Sequence, residues 1–203
     1  METRIYDFDD ERVIQEIKNN NVVALPTETV YGLGVIYDSL EAFERLVKVK
    51  QRKPDKPFTL MLSCIEDIKN YAYFDENTYR VILKYMPGEI TLLLKPKESL
   101  YPWVTLNSPY IGIRIAGLLK VGELIKKVGQ PMLVTSANIS SFPACVDFEQ
   151  TYETFASYIP AIIKGETTSS IPSTIVKCDE GTITLIRQGR IPFEEIKKTW
   201  EGY

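Results

Sequence analysis

Strand-length apolar runs and helix-period stripes alternate along this chain, and the places where the alternation fails constrain the fold most. Val22–Leu25, Phe58–Leu62 and Met132–Val134 read as short buried strands with helical segments between them. Between Ile90 and Ile115, and again between Ser173 and Arg187, two strand segments follow one another with no helix between. A purely parallel sheet needs a crossover after every strand, so consecutive strands call for antiparallel pairs as well. The pattern predicts an α/β (α+β) fold with a twisted, mixed sheet. No linker, low-complexity run or internal repeat divides the 203 residues, so 1–203 is expected to be a single domain.

Local signals set the expected element ends. Asp9 or Asp10 suits the N-cap of a first helix with Val13, Ile14 and Ile17 inward, and Ser39 caps a second with Phe43, Leu46 and Val47 on one face. Ser63-Cys64-Ile65-Glu66 reads as a capping box. Asp75 opens a helix whose apolar face is expected to be Tyr79, Ile82, Leu83 and Met86, ended by Pro87-Gly88. Leu118–Val128 is helical with Gly129 as its stop. Ser173–Lys177 and Thr182–Arg187 flank Asp179-Glu180-Gly181 as a hairpin, and Pro192 starts a last helix.

Several chemistries are excluded by composition. Histidine is absent, which removes Ser-His-Asp triads, Cys-His dyads and histidine general bases. The three cysteines, Cys64, Cys145 and Cys178, lie far apart and form no C-x-x-C, so a zinc or redox motif has no support. There is no P-loop, no S-x-x-K, and Gly32 and Gly34 do not extend into a dinucleotide fingerprint. The N-terminus is acidic and no run approaches a bilayer span, so a cytoplasmic protein with no membrane partner is expected.

The net charge of −3 is unevenly spread. Arg45, Lys48, Lys50, Arg52, Lys53 and Lys56 face one acid, Asp55, giving +5 between residues 45 and 56. A solvated helix end is the plain explanation, since cations suit helix C-termini. A phosphate site is the other, because the cluster runs past the helix into a loop stiffened by Pro54 and Pro57. Lys50 and Arg52 alternate as on one side of an extended segment, where they can clamp one phosphate. Two hydroxyl-rich stretches, Pro26–Gly34 and Thr135–Ser141, each follow a buried strand. Loops at the C-terminal ends of strands present ligand groups, although Ser, Thr and Asn also favour ordinary turns.

Taken together, Pro26-Thr27-Glu28-Thr29-Val30-Tyr31-Gly32-Leu33-Gly34, Lys50-Gln51-Arg52, Ser136-Ala137-Asn138-Ile139-Ser140 and Ser173-Thr174-Ile175-Val176 resemble the YrdC-like family in order and interval. The resemblance runs over roughly residues 10–190. It implies a large concave, positively lined cavity and L-threonylcarbamoyladenylate synthase activity, a nucleotidyltransferase reaction. Threonine, bicarbonate or CO2, and ATP with Mg²⁺ give threonylcarbamoyl-AMP and pyrophosphate. Threonylcarbamoyl-transferase proteins then modify tRNA.

The same resemblance implies residue roles. Lys50 and Arg52 would be the catalytic pair on the ATP phosphates, with Lys56 a further contact. Ser136, Asn138 and Arg187 would also bind ATP. Thr29, Arg114 and either Ser173 or Thr174 would bind threonine. No carboxylate cluster marks a protein-made metal site. The chain departs from the family at Lys53, where a proline is usual and Pro54 follows one step later. It departs again at Ser141 and Ala144, and at Met61, where some members carry histidine. Phe58-Thr59-Leu60-Met61 and Pro87-Gly88-Glu89-Ile90-Thr91 look like the YciO-like branch, but that branch tends to lose the K-x-R and S-x-N pairs that stand here. A non-catalytic module using the basic cavity on double-stranded RNA or tRNA is the alternative of a different class; the overall acidic charge weighs against it.

Overall fold

The structure, a computed structural model that describes residues 2–53 and 56–203, is organised around one mixed sheet. In chain order its elements begin β1 (Arg4–Tyr6), α1 (Glu11–Lys18), β2 (Val23–Leu25), β3 (Gly32–Ile36), α2 (Leu40–Lys50) and β4 (Thr59–Met61). Next come α3 (Ile68–Tyr71), β5 (Ala72–Tyr73), α4 (Glu76–Tyr85), β6 (Ile90–Pro96), α5 (Pro102–Thr105) and β7 (Ile111–Arg114). The chain continues through α6 (Leu119–Val128), β8 (Met132–Ser136), α7 (Phe148–Phe155), β9 (Ala161–Ile163), β10 (Thr174–Asp179), β11 (Thr182–Arg187) and α8 (Phe193–Glu201).

Across the sheet the order is β1-β9-β2-β3-β8-β4-β7-β6-β10-β11, and β5 pairs with the far end of β6. β1 with β9, β9 with β2, β4 with β7 and β6 with β10 are parallel. The remaining neighbours along that order are antiparallel, including the β10–β11 hairpin. This is the mixed sheet that the two breaks in alternation demand, although the first break is not helix-free: the one-turn α5 stands between β6 and β7.

Capping reads through to structure at three helices. Asp10, Ser39 and Asp75 accept from the backbone N–H groups of Arg12, Ala42 and Thr78. Gly129 ends α6 at φ 84, a left-handed value that costs glycine little. The capping box at Ser63 does not form: Cys64 precedes a short 3-10 turn, and the Ser63 hydroxyl bonds the Asp67 carboxylate instead, at 3.2 Å. The expected face of α4 is also half wrong. Ile82 and Met86 are buried, but Tyr79 and Leu83 are exposed, and Thr78 and Val81 face inward in their place. α4 also packs against α8, where the Lys84 ammonium donates to Thr199 Oγ1 at 2.9 Å.

The strands contribute the largest share of the core, with Val23, Leu25, Leu33, Leu60, Ile90, Leu92, Ile113 and Leu133 fully buried. α1 packs over β2, β3 and β9, and α2 over β3. Among the described residues no helix is long and apolar enough to cross a membrane. The three cysteines are unpaired.

Candidate functional site

β3, β4, β6, β7, β8, β10 and β11 line a cavity of about 830 Å³, which the 27–31 and 136–141 segments and the end of α2 complete. Its floor needs Gly112 on β7: an added Cβ would press within 3.2 Å of the Thr91 methyl and 3.3 Å of the Thr59 hydroxyl. Six cations line it, namely Lys50, Arg52, Lys53, Lys56, Arg114 and Arg187, and no carboxylate does so among the described residues. Such a cavity suits anions.

At one end, Lys50 is the last residue of α2 and is 3% exposed. Gln51 follows in the left-handed region at φ 49 and turns the chain out of the helix. The expected extended Lys50-x-Arg52 segment is therefore a helix end and a turn, because α2 runs one residue past Val49 before it breaks. The Lys50 ammonium donates to Asn138 Oδ1 at 2.6 Å, Ser136 O at 2.8 Å and Asn138 O at 3.2 Å, and lies 3.4 Å from Ser136 Oγ. In return Ser140 donates to the Lys50 carbonyl through its N–H and its hydroxyl, both at 3.0 Å.

Burial first, and the charge of Arg52 second, lower the Lys50 pKa from 10.5 to about 8. Arg52 donates to Lys56 O at 3.1 Å, and its guanidinium stands 5.1 Å from the centre of the Phe58 ring. Lys56 lines the same end. The stiff loop expected from Pro54 and Pro57 falls partly on Pro54 and Asp55, outside the described residues.

Ser136 ends β8 rather than opening a loop, since the strand runs on two residues past Val134 to pair with β3. Asn138 is committed to its turn: Oδ1 accepts from Lys50 and from Ser136 Oγ, and Nδ2 donates to Ile139 O and Phe142 O. Lys50, Ser136 and Asn138 thus form one network at the cavity wall.

At the other end, Arg114 is 8% exposed on β7. Its Nη2 donates to Glu28 Oε1 at 2.6 Å and to Thr29 Oγ1 at 3.0 Å. The second Glu28 oxygen accepts from Leu118 N at 3.3 Å. The Thr27 and Thr29 hydroxyls lie 2.9 Å apart. Across from them Ser173, 2% exposed, meets the Thr91 hydroxyl at 2.9 Å. Arg187 donates to Ser173 O through Nε and Nη2 and reaches Ser173 Oγ at 3.2 Å. Partial burial of its guanidinium, then the charge of Arg114, lower the Arg187 pKa.

The two candidates Ser173 and Thr174 are placed differently. Ser173 lines the cavity. Thr174 does not: its hydroxyl donates to Ile191 O at 2.7 Å and accepts from Gly189 N at 3.0 Å, closing the 189–191 loop. Its hydroxyl is turned to that loop and not to the cavity, as adjacent residues along an extended chain face opposite sides of a sheet.

The family model Sua5_yciO_yrdC, described as telomere recombination, matches residues 15–189. The chain belongs to the Sua5/YciO/YrdC family. A threonylcarbamoyl-AMP synthase of Buchnera aphidicola subsp. Baizongia pistaciae is 32% identical over 179 residues, 87% of this chain and 95% of that protein. A putative threonylcarbamoyl-AMP synthase of Methanocaldococcus jannaschii is 31% identical over 204 residues, 96% of each. Among solved structures, P. abyssi Sua5 complexed with L-threonine aligns at TM-score 0.91 and 29% identity, covering 97% of this chain and 61% of that one. E. coli YciO shares the fold at TM-score 0.82 and 23% identity.

Within this family member, every site residue expected from sequence except Thr174 lines the one cavity. Sequence reasoning missed Glu28, Thr91 and Gly112. Glu28 sat in plain view between two candidate threonines, but its partner Arg114 is 86 residues away. Thr91 and Gly112 carry no motif; only sheet neighbours reveal them.

Proposed function

We propose that this chain is a nucleotidyltransferase that forms threonylcarbamoyl-AMP and pyrophosphate from L-threonine, bicarbonate or CO2, and ATP. The observation that carries the reading is the cavity itself, which holds two cationic ends and a hydroxyl-rich wall with no lining carboxylate among the described residues. The naming of relatives about a third identical over almost their whole length supports it, as does the P. abyssi Sua5 complex with L-threonine.

In this reading the Lys50, Arg52 and Lys56 end takes the triphosphate, with Ser136 and Asn138 shaping its wall. Arg114 pairs with the substrate carboxylate, and Thr29 and Ser173 bond its amine or hydroxyl. Arg187, held on Ser173, meets the nucleotide. The threonine amine attacks CO2 to give a carbamate, and a carbamate oxygen then attacks the α-phosphorus as pyrophosphate leaves. Such chemistry depends on positioning and charge stabilisation, which these residues supply without histidine.

Among the described residues no group of three or more potential ligands gathers. Magnesium would therefore arrive on the nucleotide, as part of the substrate. Delivery of the product to threonylcarbamoyl-transferase proteins acting on tRNA, in the cytoplasm, completes the proposal.

The test is threonine-dependent pyrophosphate release from ATP. A catalytic cavity gives release that stops when threonine or bicarbonate is omitted; an RNA-binding module gives none.

A further inference from the structure

Glu28 has no place in the reaction just described, yet it is the carboxylate that Arg114 touches. It is 9% exposed and does not line the cavity. Its two oxygens are both used, one on Arg114 Nη2 at 2.6 Å and the other on Leu118 N at 3.3 Å. Its own backbone is pinned as well, since the Thr168 hydroxyl donates to Glu28 O at 2.8 Å. Gly117 leaves room for it: an added Cβ there would stand 3.2 Å from Glu28 Cγ.

The contact on Arg114 is end-on. Both of its hydrogen bonds leave from Nη2, so among the described residues Nε and Nη1 have no hydrogen-bond partner, and Nε is shut off from solvent. A fork-to-fork pair would have used two nitrogens of the guanidinium and closed it. The end-on pair instead fixes the plane of the guanidinium while leaving Nη1 unspent for the cavity that Arg114 lines. Without a counter-charge, a guanidinium this buried would turn toward water, and Thr29 alone would be left to hold it.

We infer that Glu28 is a positioning residue that holds Arg114, through a single end-on ion pair, in the orientation that receives a substrate carboxylate. The inference rests on the proposed amino-acid reading of the Arg114 end. It adds a residue that acts through Arg114 and touches no substrate.

The experiment is calorimetric titration of the full chain with L-threonine, with Mg-ATP, and with 1-aminopropan-2-ol, which is threonine lacking its carboxylate. Glu28→Gln keeps the shape and removes the charge. It should weaken threonine about tenfold or more, the scale of one lost charge-assisted contact, and leave Mg-ATP affinity unchanged. The amino alcohol cannot use Arg114 and should bind wild type and variant alike. Glu28→Asp keeps the charge and should recover part of the threonine affinity. If Glu28→Gln does not fold, Glu28→Asp decides alone, by a smaller loss confined to threonine. Unchanged or tighter threonine binding in the folded variant overturns the inference, and so does an equal loss for threonine and ATP, which marks Glu28 as a fold-holding residue only. Wild-type protein that fails to bind threonine removes the amino-acid reading and this inference together, whereas wild-type binding with an indifferent variant removes only the inference.

Discussion

Replacing Lys50 by methionine separates two roles that the structure superimposes on one ammonium. Methionine keeps the stem and removes the charge. The two shortest bonds lost, at 2.6 and 2.8 Å, are charge-assisted and contribute about 1.5–3 kcal/mol each. Against them stands the burial that lowers the pKa from 10.5 to about 8, a cost of about 3 kcal/mol to the charged form. The difference leaves the turn at Ser136–Asn138 weaker by about 2 kcal/mol, which for a chain of this size lowers Tm by about 4–8 °C. Mg-ATP affinity should fall as well, since the wall loses both a cation and the group that holds it in shape. The assay is a thermal melt beside a calorimetric nucleotide titration on the same preparation. An unchanged Tm with lost nucleotide affinity would refute the network argument and leave Lys50 as a ligand group alone. A lowered Tm with normal nucleotide affinity would leave it as a turn residue alone.

Three further outcomes are expected. A bound polyphosphate favours the charged form of Lys50, so Mg-ATP binding should take up a proton and weaken as pH rises above about 8; titrations across pH 7–10.5 that show no such decline contradict the assignment. In the ligand-free protein the same group has a folded pKa below its unfolded value, so its contribution makes stability rise with pH between about 8 and 10.5, and the gap between the urea midpoints of wild type and Lys50→Met should widen across that window; a constant gap would contradict the lowered pKa. Thr174→Val should cost about 1–3 kcal/mol of stability through the orphaned Gly189 N–H and Ile191 carbonyl while threonine affinity holds, and Ser173→Ala should do the reverse; matching behaviour of the two variants would undo the distinction drawn between them.

What the sequence disclosed depended on range. Caps are local, so Asp10, Ser39 and Asp75 could be read from a few residues each. The β10–β11 hairpin announced itself through Asp179-Glu180-Gly181 and its flanking alternation. β3 did not, because Gly32-Leu33-Gly34 has loop composition. The reason for its glycines is tertiary: a Cβ on Gly32 would meet Val134 at 2.9 Å, and one on Gly34 would meet Met132 at 2.7 Å, both across the β3–β8 pair. β1 and β9 are three residues each and too short to show a period. At the site, residue identities were legible because the four segments match a family in order. Their partnerships were not. Nothing in Lys50-Gln51-Arg52 shows that the lysine is spent on Asn138, 88 residues on, or that Glu28 answers Arg114.

Incubating the full chain with L-threonine, Mg-ATP and ¹³C-labelled bicarbonate, and reading the nucleotide products by mass spectrometry, tests the central claim most directly. The account predicts an AMP adduct carrying threonine and one labelled carbon, formed together with pyrophosphate and absent when any one of the three substrates is left out. Pyrophosphate without that adduct, or no turnover of ATP by folded protein that binds both ligands, would contradict it.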